Sequence, residues 1–380
     1  MKVLSVLGTR PEAVKMAPVI HALEREEQII SQVCVTGQHR ELLEPFLRLF
    51  NIEPSINLAL MRKNQTLPQL CSRAMMAVSD VLMKEKPDVV LVHGDTSTAL
   101  VSAQAAYYQQ IPIGHVEAGL RTGNKYNPFP EEMNRVCIDS VADYLIAPTS
   151  RSKENLLREG IDEGRIHVTG NTVVDALKWM KLEQSRPDRL KGLEKRMLDE
   201  YGVPIQGKRF ILVTGHRRES FGDAFENMSL AMREIAVSNQ DVLLVYPVHL
   251  NPNVQEPVHR VLGDLPNVHL IDPLGYDDFV FLMRSAYLIL TDSGGIQEEA
   301  PSLGTPVLVM RNETERQEAI EAGVAKLVGT ETACIAEATQ RLLDDSSVYG
   351  AMLSDKNPFG DGHASQRIVD VLKEHVGRQR

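Results

Sequence analysis

The sequence lacks the motifs that most directly reveal a bound cofactor. It has no CxxC pair, no GxGxxG fingerprint, no GxxxxGK[ST] phosphate loop and no metal-ligand spacing. These absences argue against NAD binding, P-loop ATP hydrolysis and a structural zinc site. His249 and His259 lie ten residues apart with prolines between them, which argues against a metal site there as well. We therefore expect neither a metal nor a cofactor.

Long apolar runs, cysteines and excess positive charge are also scarce. The longest apolar runs have the length of strands, which predicts no membrane span. Val3–Leu7 is too short for the apolar core of a signal peptide. The four cysteines show no paired spacing, which predicts buried thiols in a reducing cytoplasm. A net charge of −10 disfavours a general binder of nucleic acid or anionic membranes.

What the chain does contain is an alternation of strand and helix patterns over 380 residues, which predicts two α/β domains with parallel, doubly wound sheets. The pattern restarts at Phe210 after a charge-rich helical stretch, 178–207. We predict two Rossmann-like domains facing across a cleft. The predicted boundaries are 1–172 with a returning C-terminal helix 360–380 for the first domain, and 173–359 for the second.

Distinctive polar residues follow the predicted strands. Arg10, Asp95, Glu117, His216 and Ser293 each come just after one. Ligands of open α/β sheets bind at the carboxyl ends of the strands, so these residues mark the predicted site.

The stretch 288–309 indicates an anion-binding turn. An apolar strand is followed by Ser293, Gly294 and Gly295 and then by a helix, a geometry that points free backbone N–H groups at a phosphate. Glu299, one turn later, can accept hydrogen bonds from the two hydroxyls of a ribose. The alternative is an ordinary turn with a helix-capping serine. Pro301 requires this helix to begin late or to kink.

Three carboxylates form the second candidate group, namely Asp95, Glu117 and Glu131. Carboxylates with tuned pKa values suit proton abstraction and return. Asp95 could instead cap the following helix, and Glu131 could form a solvated surface pair with Glu132.

Cationic candidates accompany them. Arg10, His216 and Arg316 could meet a diphosphate, and Lys15 lies one helix turn beyond Arg10. The alternatives are that Arg10 only pairs with a neighbouring glutamate, that Lys15 is an ordinary surface lysine and that His216 is structural.

Together, a series of motifs in chain order resembles the non-hydrolysing UDP-N-acetylglucosamine 2-epimerases. These motifs are GTRPEAVKMAP (8–18), TGQHRE (36–41), VLVHGDT (90–96), GHVEAGLRT (114–122), PFPEEMNR (128–135), TGNTVVDAL (169–177), TGHRRESFG (214–222), YPVHLNPNV (246–254), LTDSGGIQEEAPSLGTPVLVMR (290–311) and NPFGDGHASQRI (357–368).

The resemblance implies a GT-B fold, a homodimer and no external cofactor. It also implies interconversion of UDP-N-acetylglucosamine and UDP-N-acetylmannosamine, by elimination of UDP to 2-acetamidoglucal and re-addition. The product would feed bacterial surface polysaccharides. Matched by motif, the implied UDP-binding residues are Arg10, His216, Phe279, Ser293, Gly294, Gly295, Glu299 and Arg316. The implied sugar-side and acid/base residues are Lys15, Asp95, Glu117 and Glu131, with His216 also assigned a catalytic role.

The resemblance further implies a second UDP-N-acetylglucosamine bound as an allosteric activator. The matching residues are Gln38, His39, Gln65, Arg217 and His249. Glu41, Asn64 and Leu274 depart from residues found in some relatives, so the activator requirement stays open.

Four other functions stay open at this point. They are a hydrolysing 2-epimerase, an enzyme for a modified UDP sugar, a GT-B glycosyltransferase and an inactive nucleotide-sugar sensor.

Overall fold

The computed structural model describes residues 1–37, 40–62, 65–215, 222–353 and 357–378. It divides into two compact units. The first unit comprises Met1–Ala176 and Phe359–Arg380, and the second comprises Leu177–Pro358.

The first unit is built on a parallel sheet whose strands follow the order β3-β2-β1-β4-β5-β6-β7. The central strands are rich in valine, isoleucine and leucine and are buried, as expected where helices cover both faces of a parallel sheet. Its elements in chain order are β1 (Lys2–Leu7), α1 (Arg10–Glu24), β2 (Ile30–Val35), α2 (Arg40–Leu49), β3 (Ile56–Asn57), α3 (Leu67–Glu85), β4 (Val89–His93), α4 (Ser97–Tyr108), β5 (Ile113–Val116), α5 (Glu131–Val141), β6 (Tyr144–Ala147), α6 (Ser150–Arg158), a 3₁₀ turn (Glu163–Arg165), β7 (Ile166–Val168) and the start of α7 (Thr172–Gln184).

The second unit repeats this architecture around a parallel sheet in the order β10-β9-β8-β11-β12-β13. Its elements after α7 are α8 (Pro187–Asp199), β8 (Phe210–Thr214), α9 (Asp223–Ser238), β9 (Leu243–Pro247), α10 (Pro252–Leu262), β10 (Val268–Ile271), α11 (Tyr276–Ser285), β11 (Leu288–Thr291), α12 (Gly294–Leu303), β12 (Val307–Val309), α13 (Gln317–Glu321), β13 (Ala325–Leu327), α14 (Thr332–Asp344) and α15 (Ser346–Met352).

The last helix, α16 (Ala364–Arg378), belongs to the first unit. Asp175 binds its N-terminus by accepting hydrogen bonds from the backbone of Ala364 at 3.2 Å and of Ser365 at 2.8 Å. Lys373 pairs with Glu26, just beyond the end of α1, at 2.7 Å. These contacts join the C-terminus of the chain to residues far away in sequence.

The helix after the Ser-Gly-Gly turn differs in one respect from the expectation for Pro301. α12 begins directly at Gly294 and continues through Pro301 to Leu303, so it does not begin late. Pro301 is the eighth of the ten residues of the helix, so the helix continues for two residues beyond the proline. The N–H groups at the start of the helix therefore directly follow β11.

Candidate functional site

The turn between β1 and α1 packs tightly and carries Arg10. A side chain at Gly8 would meet Thr98, since a Cβ built there would lie 2.4 Å from the Thr98 Oγ1 atom. The buried Glu12 carboxylate accepts hydrogen bonds from the Gly8 and Thr9 N–H groups at 2.9 and 2.5 Å, and from the Thr96 hydroxyl at 2.7 Å. Burial raises the pKa of Glu12 despite these hydrogen bonds. Glu12 therefore ties the turn after β1 to the turn after β4.

Arg10 itself is exposed at the first position of α1. Its guanidinium lies over the Phe46 ring, 5.5 Å from the centroid. The side chain is thus placed at the carboxyl edge of the first sheet, where the predicted site lies.

Asp95 lies in the turn after β4 and does not cap α4. Thr96 is the N-cap residue, and its side chain accepts a hydrogen bond from the Ala99 N–H. The Asp95 carboxylate instead pairs with Arg135 at 2.7 Å, and its backbone carbonyl accepts a hydrogen bond from the Asn134 side chain at 2.8 Å. Both partners are on α5, so the capping alternative for Asp95 is wrong.

Glu117, which directly follows β5, lies at the centre of a buried charge cluster. It has a left-handed backbone, with φ of 72°, a conformation that costs energy outside glycine and occurs at functional sites. Its Oε1 atom is 2.5 Å from Lys15 Nζ, and its Oε2 atom is 3.0 Å from His93 Nε2. Lys15 is thus a largely buried partner of Glu117 and not an ordinary surface lysine.

The charge cluster keeps Glu117 ionised. Burial opposes ionisation, but Lys15 and His93 outweigh it and hold the pKa of Glu117 well below its ordinary value. A Cβ built on Gly94 would lie 3.8 Å from Glu117 Oε2, so the turn carrying Asp95 lies beside this carboxylate.

Glu131 and Glu132, at the start of α5, have different environments. Glu132 is buried and accepts hydrogen bonds from the Thr122 and Gly123 N–H groups at 3.0 and 2.9 Å. Glu131 has a buried Oε2 atom that finds no hydrogen-bond partner among the described residues. The alternative of a solvated surface pair is therefore wrong. Glu132 secures the preceding loop, whereas Glu131 has a buried oxygen whose hydrogen-bonding capacity is not used by the described residues.

In the second unit, the predicted anion turn has the expected geometry. Ser293 is the N-cap residue of α12, but its hydroxyl makes no capping hydrogen bond. The first N–H groups of a helix lack partners within the helix and attract anions. A Cβ built on Gly295 would have room, with Glu299 Oε1 at 3.8 Å and Ser293 Oγ at 3.9 Å. Protein packing therefore does not require this glycine.

Arg316 lies just before α13 and is held by carboxylates. Its Nη2 atom is 2.7 Å from Glu298 of α12, and its Nη1 atom is 3.0 Å from Glu315. Phe279, on α11, is partly buried. Both are thus placed in the same unit as the Ser-Gly-Gly turn, and Arg316 is bound directly to the helix that this turn begins.

Several predicted residues lie outside the described residues. They are His216, Gln38, His39 and Arg217, together with Asn64. Gln65 precedes α3 and receives a hydrogen bond from Arg73. His249 is exposed in the loop after β9, and Leu274 is partly buried in the loop before α11.

Sequence reasoning gave no role to Arg135 or Asp139 and predicted only a structural or supporting role for His93, although one signal for the first two was present. Glu131, Arg135 and Asp139 are spaced at i, i+4 and i+8, which places them on one face of a helix. That face meets Asp95 through Arg135. No comparable signal marked His93, since it could equally have been an ordinary residue at the end of a strand.

Comparison with known proteins agrees with these observations. The sequence model of a family described as UDP-N-acetylglucosamine 2-epimerase matches residues 21–373. The chain is 54% identical over 376 residues to the UDP-N-acetylglucosamine 2-epimerase of Yersinia pestis, covering 99% of both chains. It resembles the crystal structure of UDP-GlcNAc 2-epimerase from Neisseria meningitidis bound to UDP-GlcNAc, with a TM-score of 0.89, 46% identity and coverage of 98% of this chain and 100% of that one.

A more distant match is the Methanocaldococcus jannaschii UDP-GlcNAc 2-epimerase in complex with UDP-GlcNAc and UDP. The TM-score is 0.78 and the identity 35%, with coverage of 98% of this chain and 100% of that one.

The two parallel sheets with their flanking helices define an α/β protein of the GT-B type, as predicted. Within that class, the chain belongs to the UDP-N-acetylglucosamine 2-epimerase family. The prediction of an isomerase is therefore confirmed. None of the helices in the described part of the chain is long and apolar enough to cross a membrane.

Proposed function

We propose that this chain interconverts UDP-N-acetylglucosamine and UDP-N-acetylmannosamine by inverting C2, without releasing free sugar. The observation that carries the proposal is the buried Lys15–Glu117–His93 cluster beside Asp95, at the carboxyl edge of the first sheet. The names of the family and of its relatives support the choice of substrate.

The proposed reaction is elimination followed by re-addition. A base takes the proton from C2 while the C1–O bond breaks, so that UDP leaves with the electron pair and 2-acetamidoglucal forms. UDP then attacks C1 again, and a proton reaches C2 from the opposite face. The C2–H bond is only weakly acidic, so stabilisation of the departing diphosphate is the larger contribution.

We assign the acid/base and electrostatic roles to Asp95, Glu117 and Glu131. Glu117 is held ionised by Lys15 and His93, which makes it a weak base but suits stabilisation of positive charge at C1. Glu131 has a buried oxygen without a hydrogen-bond partner among the described residues, and a proton or a donor group supplied there would satisfy it. His216 belongs to the proposed set by the resemblance.

We assign UDP to the second unit. The free N–H groups at the start of α12 suit the diphosphate, the Ser293 hydroxyl is not used in capping, and Glu299 faces the same turn for the ribose. The other proposed UDP contacts are those matched by motif, namely Arg10, His216, Phe279, Gly294, Gly295 and Arg316.

A second UDP-N-acetylglucosamine at Gln38, His39, Gln65, Arg217 and His249 is a further proposal. It rests on the resemblance, as do a cytoplasmic location and a role in supplying surface polysaccharide. The Gln65 side-chain oxygen already accepts a hydrogen bond from Arg73.

We also propose a homodimer formed by the first unit. α4 packs against α3 on one side and α5 on the other, and each of the three helices carries large apolar side chains that are exposed. Met76 and Met83 on α3 are 65% and 58% exposed, and Tyr108 on α4 is 71% exposed. A second copy of the chain would cover this face.

The double variant Met76→Glu/Tyr108→Glu should sediment as a monomer. Leu182→Glu on α7 is the control, since this side chain is similarly exposed. A wild-type monomer at micromolar concentration would refute the dimer.

NMR of the reaction in heavy water tests the chemistry. With UDP-N-acetylglucosamine, the enzyme should produce UDP-N-acetylmannosamine and place deuterium at C2 of both sugars. Free N-acetylmannosamine with stoichiometric UDP would identify a hydrolysing enzyme, and transfer of the sugar to an acceptor would identify a glycosyltransferase. Epimerisation without exchange at C2 would refute the elimination route.

A pair of variants at opposite ends of β4 links this test to the site. Asp95→Asn should lower turnover by at least about 100-fold if Asp95 moves a proton. Asp88→Asn, before the other end of the same strand, removes the carboxylate that accepts a hydrogen bond from Lys2 and should leave turnover unchanged. Equal turnover in the two variants would remove Asp95 from the mechanism.

A further inference from the structure

His115 is a completely buried histidine on β5 whose two ring nitrogens both meet oxygen atoms. Nδ1 lies 2.6 Å from Asp139 Oδ1, and Nε2 lies 2.6 Å from the backbone carbonyl of Gly94. A carbonyl oxygen can only accept a hydrogen bond, so Nε2 carries a proton. The state of Nδ1 then depends on Asp139.

Asp139, on α5, is surrounded by donors. Its Oδ2 atom accepts a hydrogen bond from the Gly119 N–H at 3.1 Å and pairs with Arg121 at 2.7 Å. Burial opposes ionisation, but His115 and Arg121 keep the pKa of Asp139 below its ordinary value. An ionised carboxylate only accepts hydrogen bonds, so the bond between the two side chains is donated by Nδ1 of His115.

The two ends of this network lie on the turns that carry the proposed acid/base residues. Gly94 directly precedes Asp95, and Gly119 follows Glu117 by two positions. Both glycines have a left-handed backbone, with φ of 65° and 83°. A Cβ at Gly119 would lie 2.4 Å from the Ser152 carbonyl oxygen, so this turn has little room to adopt another position.

We propose that His115 and Asp139 are positioning residues that fix the spacing between the Asp95 and Glu117 carboxylates. Neither side chain has to touch the substrate. The His115 ring holds the Gly94 carbonyl, Asp139 holds the Gly119 N–H, and their mutual hydrogen bond joins the two turns. The catalytic part of this inference rests on the proposed function, whereas the fixing of the turns does not.

Two substitutions divide the network at different points. In His115→Asn, the amide nitrogen takes the place of Nδ1, which keeps the bond to Asp139 and loses the bond to Gly94. In His115→Gln, the amide nitrogen takes the place of Nε2, which keeps the bond to Gly94 and loses the bond to Asp139. Misplacement of reacting groups by about 1 Å can cost about 100-fold in rate, so we expect kcat to fall about 10- to 100-fold in each variant. KM and the Kd for UDP should stay within about twofold of wild type.

His21 provides a matched control in the same unit. Its ring also bridges a carboxylate, Glu24 at 2.9 Å, and a backbone carbonyl, that of Phe50 at 2.6 Å. It lies in the last turn of α1, at the opposite end from the site. His21→Asn and His21→Gln should lower the melting temperature while leaving kcat unchanged.

Native-state hydrogen exchange gives a second measurement that does not depend on activity. Amides of residues 94–96 should exchange at least about tenfold faster in His115→Asn, and those of residues 117–121 in His115→Gln, whereas both turns should exchange at the wild-type rate in both His21 variants. Unchanged exchange at these turns would overturn the proposal, whether or not the wild type epimerises the nucleotide sugar.

If the wild type is active, a kcat within twofold of wild type in the His115 variants, or an equal loss in the His21 variants, would also overturn it. Loss of wild-type epimerisation alone would count against the proposed function. If one His115 variant does not fold, the other provides the same comparison.

Discussion

The pair formed by Lys15 and Glu117 permits a quantitative prediction about stability. The side chains are only 17% and 9% exposed, and the charged atoms are 2.5 Å apart. Lys15→Met removes one partner and leaves a buried carboxylate beside His93 alone. Breaking a buried pair in this way costs about 3–5 kcal/mol. For a unit of this size each kcal/mol corresponds to about 2–4 °C, so the melting temperature of the first unit should fall by roughly 6–20 °C at pH 7.

The loss should depend on pH in a defined direction. In the wild type the pKa of Glu117 is depressed, so its contribution to stability is present above the unfolded pKa of about 4.3 and is lost as the pH falls through the folded value. In Lys15→Met, Glu117 is still buried, which disfavours its ionised form, but it has lost the positive charge of Lys15 that favoured this form. The pKa of Glu117 should therefore rise. The variant then gains stability relative to the wild type on acidification, and the difference in melting temperature should shrink between pH 7 and about pH 4.

Urea unfolding and thermal scans of two further variants complete this test. Glu117→Gln combined with Lys15→Met should be more stable than Lys15→Met alone, because no buried charge is left without its partner. Lys153→Met breaks a pair of similar length, 2.6 Å from Glu163, but an exposed one, and should cost less than about 1 kcal/mol. A loss for Lys15→Met no larger than that for Lys153→Met would show that burial of the pair has been misjudged.

Two other predictions concern local packing. Gly8→Ala should destabilise the first unit by about 1–3 kcal/mol, because its Cβ would lie 2.4 Å from Thr98 Oγ1. Gly295→Ala has room for its Cβ, so it should unfold like wild type, but it should bind UDP more weakly when measured by calorimetry. An affinity for UDP equal to that of wild type would contradict the anion site. Burial raises the pKa of the Cys34 thiol to about 12. Iodoacetamide at pH 8 should therefore modify the exposed Cys334 and leave Cys34 unmodified, as measured by mass spectrometry. Rapid labelling of Cys34 in the native protein would contradict its burial.

Local patterns in the sequence were sufficient to predict the class of fold. Buried parallel strands are continuous apolar runs, and the polar residues that follow them mark the carboxyl edge of the sheet, so Asp95, Glu117 and Ser293 could be identified as candidates without a structure. The short strands β3 and β13 were not predicted, because two or three residues carry too little periodicity to distinguish a strand from a loop.

The sequence by itself determined the two α/β halves, the strand-end turns and the motifs that identify the family. Only the tertiary structure decided which candidate residues are buried, which partners they have and whether they are ionised. Glu117 owes its depressed pKa to Lys15, which precedes it by 102 residues, and Asp95 is held by Arg135 and not used as a cap. Turns and strands arise from interactions between neighbours in the chain, which a sequence pattern records. Ionisation and orientation depend on burial and on charges brought together by folding, which no local pattern contains.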